Sequence, residues 1–175
     1  VTGVQTCALP IFLDAQIEAN QLYQDWGADA EKDRGRYYLL AIHGDPKLKS
    51  WGWGVTAKNI HRMINSGNPD AKVIYEDKLY QSIYAQMMCR YEYGMTLSGA
   101  KRKEQFNYAL SELRSFVAIS QDVKPEWWKK FDSKYRELLG KIGEPVKPLE
   151  RPKPSVVTEA PKPELATNKE PEKKT

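Results

Sequence analysis

The chain has 175 residues, room for one ordinary domain, and a formal net charge of +4 with both signs mixed along it. That balance gives no case for a nucleic-acid partner. No apolar run approaches the roughly 20 residues needed to cross a bilayer, so no membrane segment is expected in this stretch.

The first eleven residues, Val1-Thr2-Gly3-Val4-Gln5-Thr6-Cys7-Ala8-Leu9-Pro10-Ile11, resemble the conceptual translation of a sequencing-adapter oligonucleotide at every position. The resemblance implies that 1–11 are not natural protein and that the native start, with any targeting signal, is missing. The segment is set aside from fold reasoning. Cys7 goes with it, leaving Cys89 alone, and one cysteine forms no internal disulfide.

Six segments carry helical signals. Leu13 to about Ala30 repeats apolar residues at Ala15, Ala19, Leu22, Tyr23 and Trp26, in steps of three and four. Arg34 to His43 follows with Tyr37, Tyr38, Ala41 and Ile42, and is stopped by Gly44-Asp45-Pro46. About Ser50 to Asn65 is the third, with Ser50 as N-cap, Trp53, Ala57, Ile60 and Ile64 on one face, and a stop at Ser66-Gly67-Asn68-Pro69-Asp70. About Val73 to Leu97 is the longest; Leu79, Ile83, Met87 and Tyr91 share a face that Tyr80, Tyr84, Met88 and Met95 widen, which predicts packing on two sides. About Arg102 to Ser120 is cleanly amphipathic through Phe106, Ala109, Leu110, Leu113, Phe116 and Val117. Pro125 to Ile142 opens with Pro at a first-turn position and supplies Trp127, Trp128, Phe131, Tyr135, Leu138, Leu139 and Ile142.

Strand signals are weak, and short connections favour antiparallel neighbours. The expected fold is all-α. From Gly143 to Thr175 prolines alternate with Lys and Glu, apolar residues lose their period, and a disordered tail is expected.

Leu13 to Pro46 is 34 residues, helix–turn–helix, ending Tyr38-x-x-Ala41-Ile42-x-x-Asp45-Pro46. That unit resembles a tetratricopeptide repeat. The small residue lets helices approach, the aromatic fills the gap and the Pro stops the second helix. The fit is poorer at Leu22-Tyr23-x-x-Trp26, since Tyr23 is not small, and the hairpin from about Val73 to Ser120 is stretched. Tyr37-Tyr38-Leu39-Leu40-Ala41-Ile42, Trp51-Gly52-Trp53-Gly54, Cys89-Arg90-Tyr91-Glu92-Tyr93 and Glu126-Trp127-Trp128-Lys129-Lys130-Phe131-Asp132 are similar to the C-terminal part of large bacterial proteins with degenerate repeats of this kind. The resemblance implies that residues 12–142 form a short solenoid of stacked antiparallel hairpins, with the Trp127 helix as its cap.

Candidate sites are few. His43 and His61 have no second His or Cys at ligand spacing, so no metal is expected. Cys89 has no His at helical spacing and reads as buried and structural. Trp51-Gly52-Trp53-Gly54 lacks phosphate-loop spacing; Trp53 is assigned to the core, Trp51 to packing on the previous hairpin, and the glycines to close helix approach. Lys101-Arg102-Lys103 reads as a solvated helix start. No catalytic motif is present and no cofactor is expected. The function implied is a non-catalytic scaffold that binds a protein or peptide partner. Tyr80, Tyr84, Tyr91 and Trp51 are the candidate contact residues, and core packing explains the tyrosines equally well. The alternative is the terminal helical module of a larger enzyme or envelope-assembly protein whose active part lies upstream.

Overall fold

The computed structural model describes residues 5–120 and 122–151. Among them every regular element is a helix: α1 (Gln5–Asp29), α2 (Arg34–His43), α3 (Trp53–Ile64), α4 (Pro69–Met95), α5 (Gly99–Ile119) and α6 (Pro125–Ile142). The all-α class therefore holds. The bounds of α2 and α6 coincide with those expected from sequence, because both carry clear end signals. Gly44 closes α2 at φ +86° and donates to the Leu40 carbonyl at 2.7 Å. Gly143 closes α6 at φ +78°, and the next N–H, of Glu144, reaches back to the Leu139 carbonyl at 3.0 Å.

Other ends move for local reasons. α4 starts ahead of Val73 because Asn68 and Pro69, expected in the stop, in fact begin the next helix. The Asn68 side chain accepts the Asp70 N–H at 3.0 Å, and Pro69 takes the first turn. Ser50 is not the N-cap of α3. Its hydroxyl is occupied by the Asp45 N–H at 2.9 Å, and Gly52 holds the cap position. α1 begins well before Leu13 and runs through the segment set aside above.

α1 also turns a different face to the core. Of its expected stripe only Tyr23 is buried; Ala15, Leu22 and Trp26 are exposed and Ala19 is half-buried. The buried face is Leu13, Gln16, Asn20 and Tyr23. Polar groups on it, Asn20 Oδ1 excepted, find partners on α3 and the loop before it. Gln16 Oε1 accepts the Trp51 backbone N–H at 2.6 Å, Asn20 Nδ2 donates to Thr56 Oγ1 at 3.1 Å, and the Tyr23 hydroxyl donates to Asp45 at 2.9 Å. A buried polar group with a partner escapes the desolvation cost that would otherwise turn it outward.

α4 is the central rod. It packs on α2, α3, α5 and α6, while α1 lies against α2 and α3. Its buried positions, from Tyr75 and Leu79 through Ser82, Ala85 and Cys89 to Tyr91, go round most of the helix, so contact extends beyond the two sides expected. Two apolar clusters meet along it. One joins α1, α2 and the start of α3 through Tyr23, Tyr38, Ile42, Trp53 and Cys89. The larger gathers Ile60, Leu79, Met87, Phe106, Leu110, Leu113, Phe131 and Leu138 between α3, α4, α5 and α6. Each large side chain so buried contributes about 1.5–3 kcal/mol.

The expected tail is structured over its first residues. Leu149 is buried, its N–H donates to Asp132 Oδ1 at 2.7 Å, and the Arg151 guanidinium lies 4.5 Å from the Trp128 ring. One apolar side chain with a matched acceptor on α6 anchors this stretch despite its prolines. The expectation of a disordered tail therefore does not hold for 143–151; residues 152–175 lie outside the described part.

Candidate functional site

α3 and α5 both pack on α4 from opposite sides of one face, and the trough left between them is floored by α4. Ala57, Leu79, Ile83, Phe116 and Ile119 make it apolar; Lys58, His61 and Ser115 stand on its rim. The hollow is about 380 Å³. A larger one, about 510 Å³, lies between α5, Tyr135 and residues 147–151, but its outer wall is irregular chain carrying Lys147, Glu150 and Arg151. Only the first has helices for floor and walls, and rigid elements hold a binding geometry better than loops do.

One end of the groove is polar. Gln86 is only 7% exposed, and its Nε2 donates to Glu112 Oε1 at 3.1 Å. Arg90 Nε donates to the same carboxylate oxygen at 2.7 Å, and its NH1 nitrogen reaches Gln105 Oε1 at 3.3 Å. The guanidinium lies 5.1 Å from the Tyr108 ring. With both donors on Oε1, Glu112 Oε2 has no partner among the described residues, nor has Gln86 Oε1. Turning the Gln86 amide over would put oxygen against carboxylate, so the carboxylate itself fixes the amide orientation. Two acceptors without donors among the described residues therefore lie under this end of the groove, closed off from solvent, in a low-dielectric setting where such groups are costly. Partial desolvation, followed by the Arg90 charge, holds the His43 imidazole below its ordinary 6.5, with Glu112 pulling weakly the other way. His43 is thus neutral at pH 7.

The candidate contact residues are not brought together here. Tyr80 is 3% exposed; its hydroxyl donates to the Asp122 carbonyl at 3.3 Å and its ring lies 6.0 Å from both Phe116 and Trp127. Tyr84 is half-buried between Trp127 and Phe131, at 6.2 and 6.1 Å. Tyr91 stacks on Phe106 at 5.5 Å under the Lys134 ammonium, 4.3 Å above it. A hydrogen bond to Glu137, and then burial, push its phenol up to about 12. α5 and α6 cover the face of α4 that carries all three, so they sit in packing. Trp51 stands elsewhere, half-buried and edge-on to Phe12 at 4.9 Å. The packing of Trp51 against the first hairpin and of Trp53 in the core, where it is fully buried, is as expected.

Cys89 is fully buried among Tyr38, Trp53 and Ala85; its thiol faces Gln24 Oε1 at 3.5 Å and burial pushes its pKa far up, so it carries no thiolate. Arg102, from the basic cluster, donates to the Leu97 carbonyl at 2.7 Å and ties the turn before α5. Among the described residues no three His, Cys, Asp or Glu side chains lie close enough to hold a metal ion, and no helix is long and apolar enough to cross a membrane. Gln86, Arg90 and Glu112 had no sequence signal beyond a Gln and an Arg one helical turn apart, since the carboxylate arrives from another helix. No family model, curated protein or solved structure matches the chain.

Proposed function

We propose that the chain is a non-catalytic helical scaffold, tetratricopeptide-like in design, that holds an apolar peptide segment of a partner protein in the groove between α3 and α5. The observation that carries this is an apolar trough with helices for its floor and both walls. A bound segment can lay an apolar side chain over Ile83. A neutral segment suits this end of the groove better than a cationic one, because Arg90 already neutralises Glu112. The repeat reading draws on the 34-residue unit Leu13–Pro46, which contains the α1–α2 turn and closes just after α2.

Panning a random peptide library on the full chain tests this. Enriched peptides should share an apolar anchor and lose at least about tenfold in affinity when the groove is filled by Ser115→Trp, an exposed rim position. Circular dichroism of the variant should be unchanged. If no peptide is enriched, or if enriched peptides bind the filled variant equally well, the groove is not a binding site.

A further inference from the structure

The outward side of α1 carries a second surface, separate from the groove. Phe12, Ala15, Ala19, Leu22 and Trp26 follow one another in alternating steps of three and four, the seam spacing of paired helices. Phe12 is 45% exposed, Leu22 51% and Trp26 49%. The large residues are braced from behind. Trp26 stands edge-on to Tyr23 at 5.5 Å and to Tyr37 at 5.9 Å, and Phe12 meets Trp51 at 4.9 Å. Anchors held in place this way lose little freedom when a partner covers them.

The charge beside the seam is one-sided. Asp14, Glu18, Asp25 and Asp29 recur along the adjoining flank, and α1 contains no Lys or Arg. Lys78 of α4 bridges Asp14, leaving the other three facing solvent. Among the described residues Asp25 accepts only from the Gln21 amide of its own helix, at 2.8 Å. The cations just after α1 do not answer this row: Arg34 is turned onto the Ala28 and Ala30 carbonyls, Lys32 lies in the connecting loop, and Arg36 makes no ion pair with an α1 carboxylate among the described residues. Lys47 and Lys49 belong to the loop that carries Trp51, between α2 and α3. A second copy of the chain paired antiparallel is a poor occupant, because that isologous pairing brings the Glu18–Asp25–Asp29 row against itself. A helix with apolar residues at the same spacing and Lys or Arg on its flank satisfies seam and charge together.

We propose that the outer seam of α1 is a docking face for a cationic amphipathic helix of another polypeptide, anchored on Leu22 and Trp26 and steered by Glu18, Asp25 and Asp29.

Two synthetic helices of about three heptads, both with Leu at the seam positions, test it on the full chain by fluorescence anisotropy; one has Lys on its flanks and the other Glu. The Lys helix should bind at least about tenfold more tightly than the Glu helix, and more weakly as salt rises. Leu22→Asp and Asp25→Lys, both at exposed positions, should each weaken it at least about tenfold, whereas Ser115→Trp in the groove should not. Equal binding of the two helices, indifference to Leu22→Asp, or loss on Ser115→Trp would each overturn the assignment. So would a homodimer in sedimentation that Leu22→Asp dissolves, since the face would then belong to a second copy.

Discussion

Between α2 and α3 the chain doubles back so closely that a methyl group at Gly52 would stand 2.1 Å from the Ile42 carbonyl oxygen and 2.6 Å from the Gly44 nitrogen. Backbone cannot swing aside as a flexible side chain can. Gly52→Ala is expected to cost about 2–4 kcal/mol, read as a lower midpoint in urea at unchanged slope. Gly54, two residues on, has the Gln86 amide as its nearest neighbour, at 3.1 Å, so there a methyl group would press on the polar end of the groove instead. That these glycines mark a close approach is legible in Trp51-Gly52-Trp53-Gly54. What each approaches is not, because Ile42 and Gln86 come from other helices.

At the scale of elements, α1 shows how a periodic pattern can name a helix and misplace its face. Ala15, Ala19, Leu22 and Trp26 are the more apolar stripe, yet Gln16 and Asn20 are the ones buried. Asn20 is fully buried on Thr56, and its Oδ1 has no partner among the described residues. Thr56→Val alone should strand the Asn20 amide and cost about 1–3 kcal/mol, whereas Asn20→Leu with Thr56→Val should cost less than the two single changes summed. Denaturant unfolding of the four proteins checks this. Strict additivity would mean that the pair does not fix the rotation of α1. The Asn68-Pro69 start of α4 was written in the chain, but such residues also make a good stop, and the Asn68 side-chain cap on the Asp70 N–H is what marks them as a start.

For the whole molecule, α4 joins both ends, and a surface strut ties it to α6. Lys124 Nζ donates to Asp77 Oδ1 at 2.8 Å, and Trp127 Nε1 reaches the same oxygen at 3.3 Å. The Lys124 hydrogen bond, opposed by modest desolvation, holds the Asp77 carboxyl below its ordinary 3.8. A depressed carboxyl contributes stability that is present above its unfolded pKa and is lost as pH falls through the folded one. Melting temperature should therefore fall below about pH 4, and Asp77→Asn should flatten that acid limb while changing little at its foot. An acid limb identical in the variant would show that the strut carries no coupling between α4 and α6.

The residues alone determined that the described part of this chain is helical, with six segments in this order, and that Trp53, Phe106, Leu110, Leu113, Phe131 and Leu138 lie in its interior. Those facts follow from local period and from end signals that act within a few residues. Only tertiary structure decided that α4 is enclosed on most sides, that the tyrosines Tyr80 and Tyr91 are packing, that Leu149 docks on α6, and that Gln86, Arg90 and Glu112 meet at the end of a groove. Each of those depends on side chains from helices far apart in the chain, and the period of one helix carries no record of which neighbour it will meet.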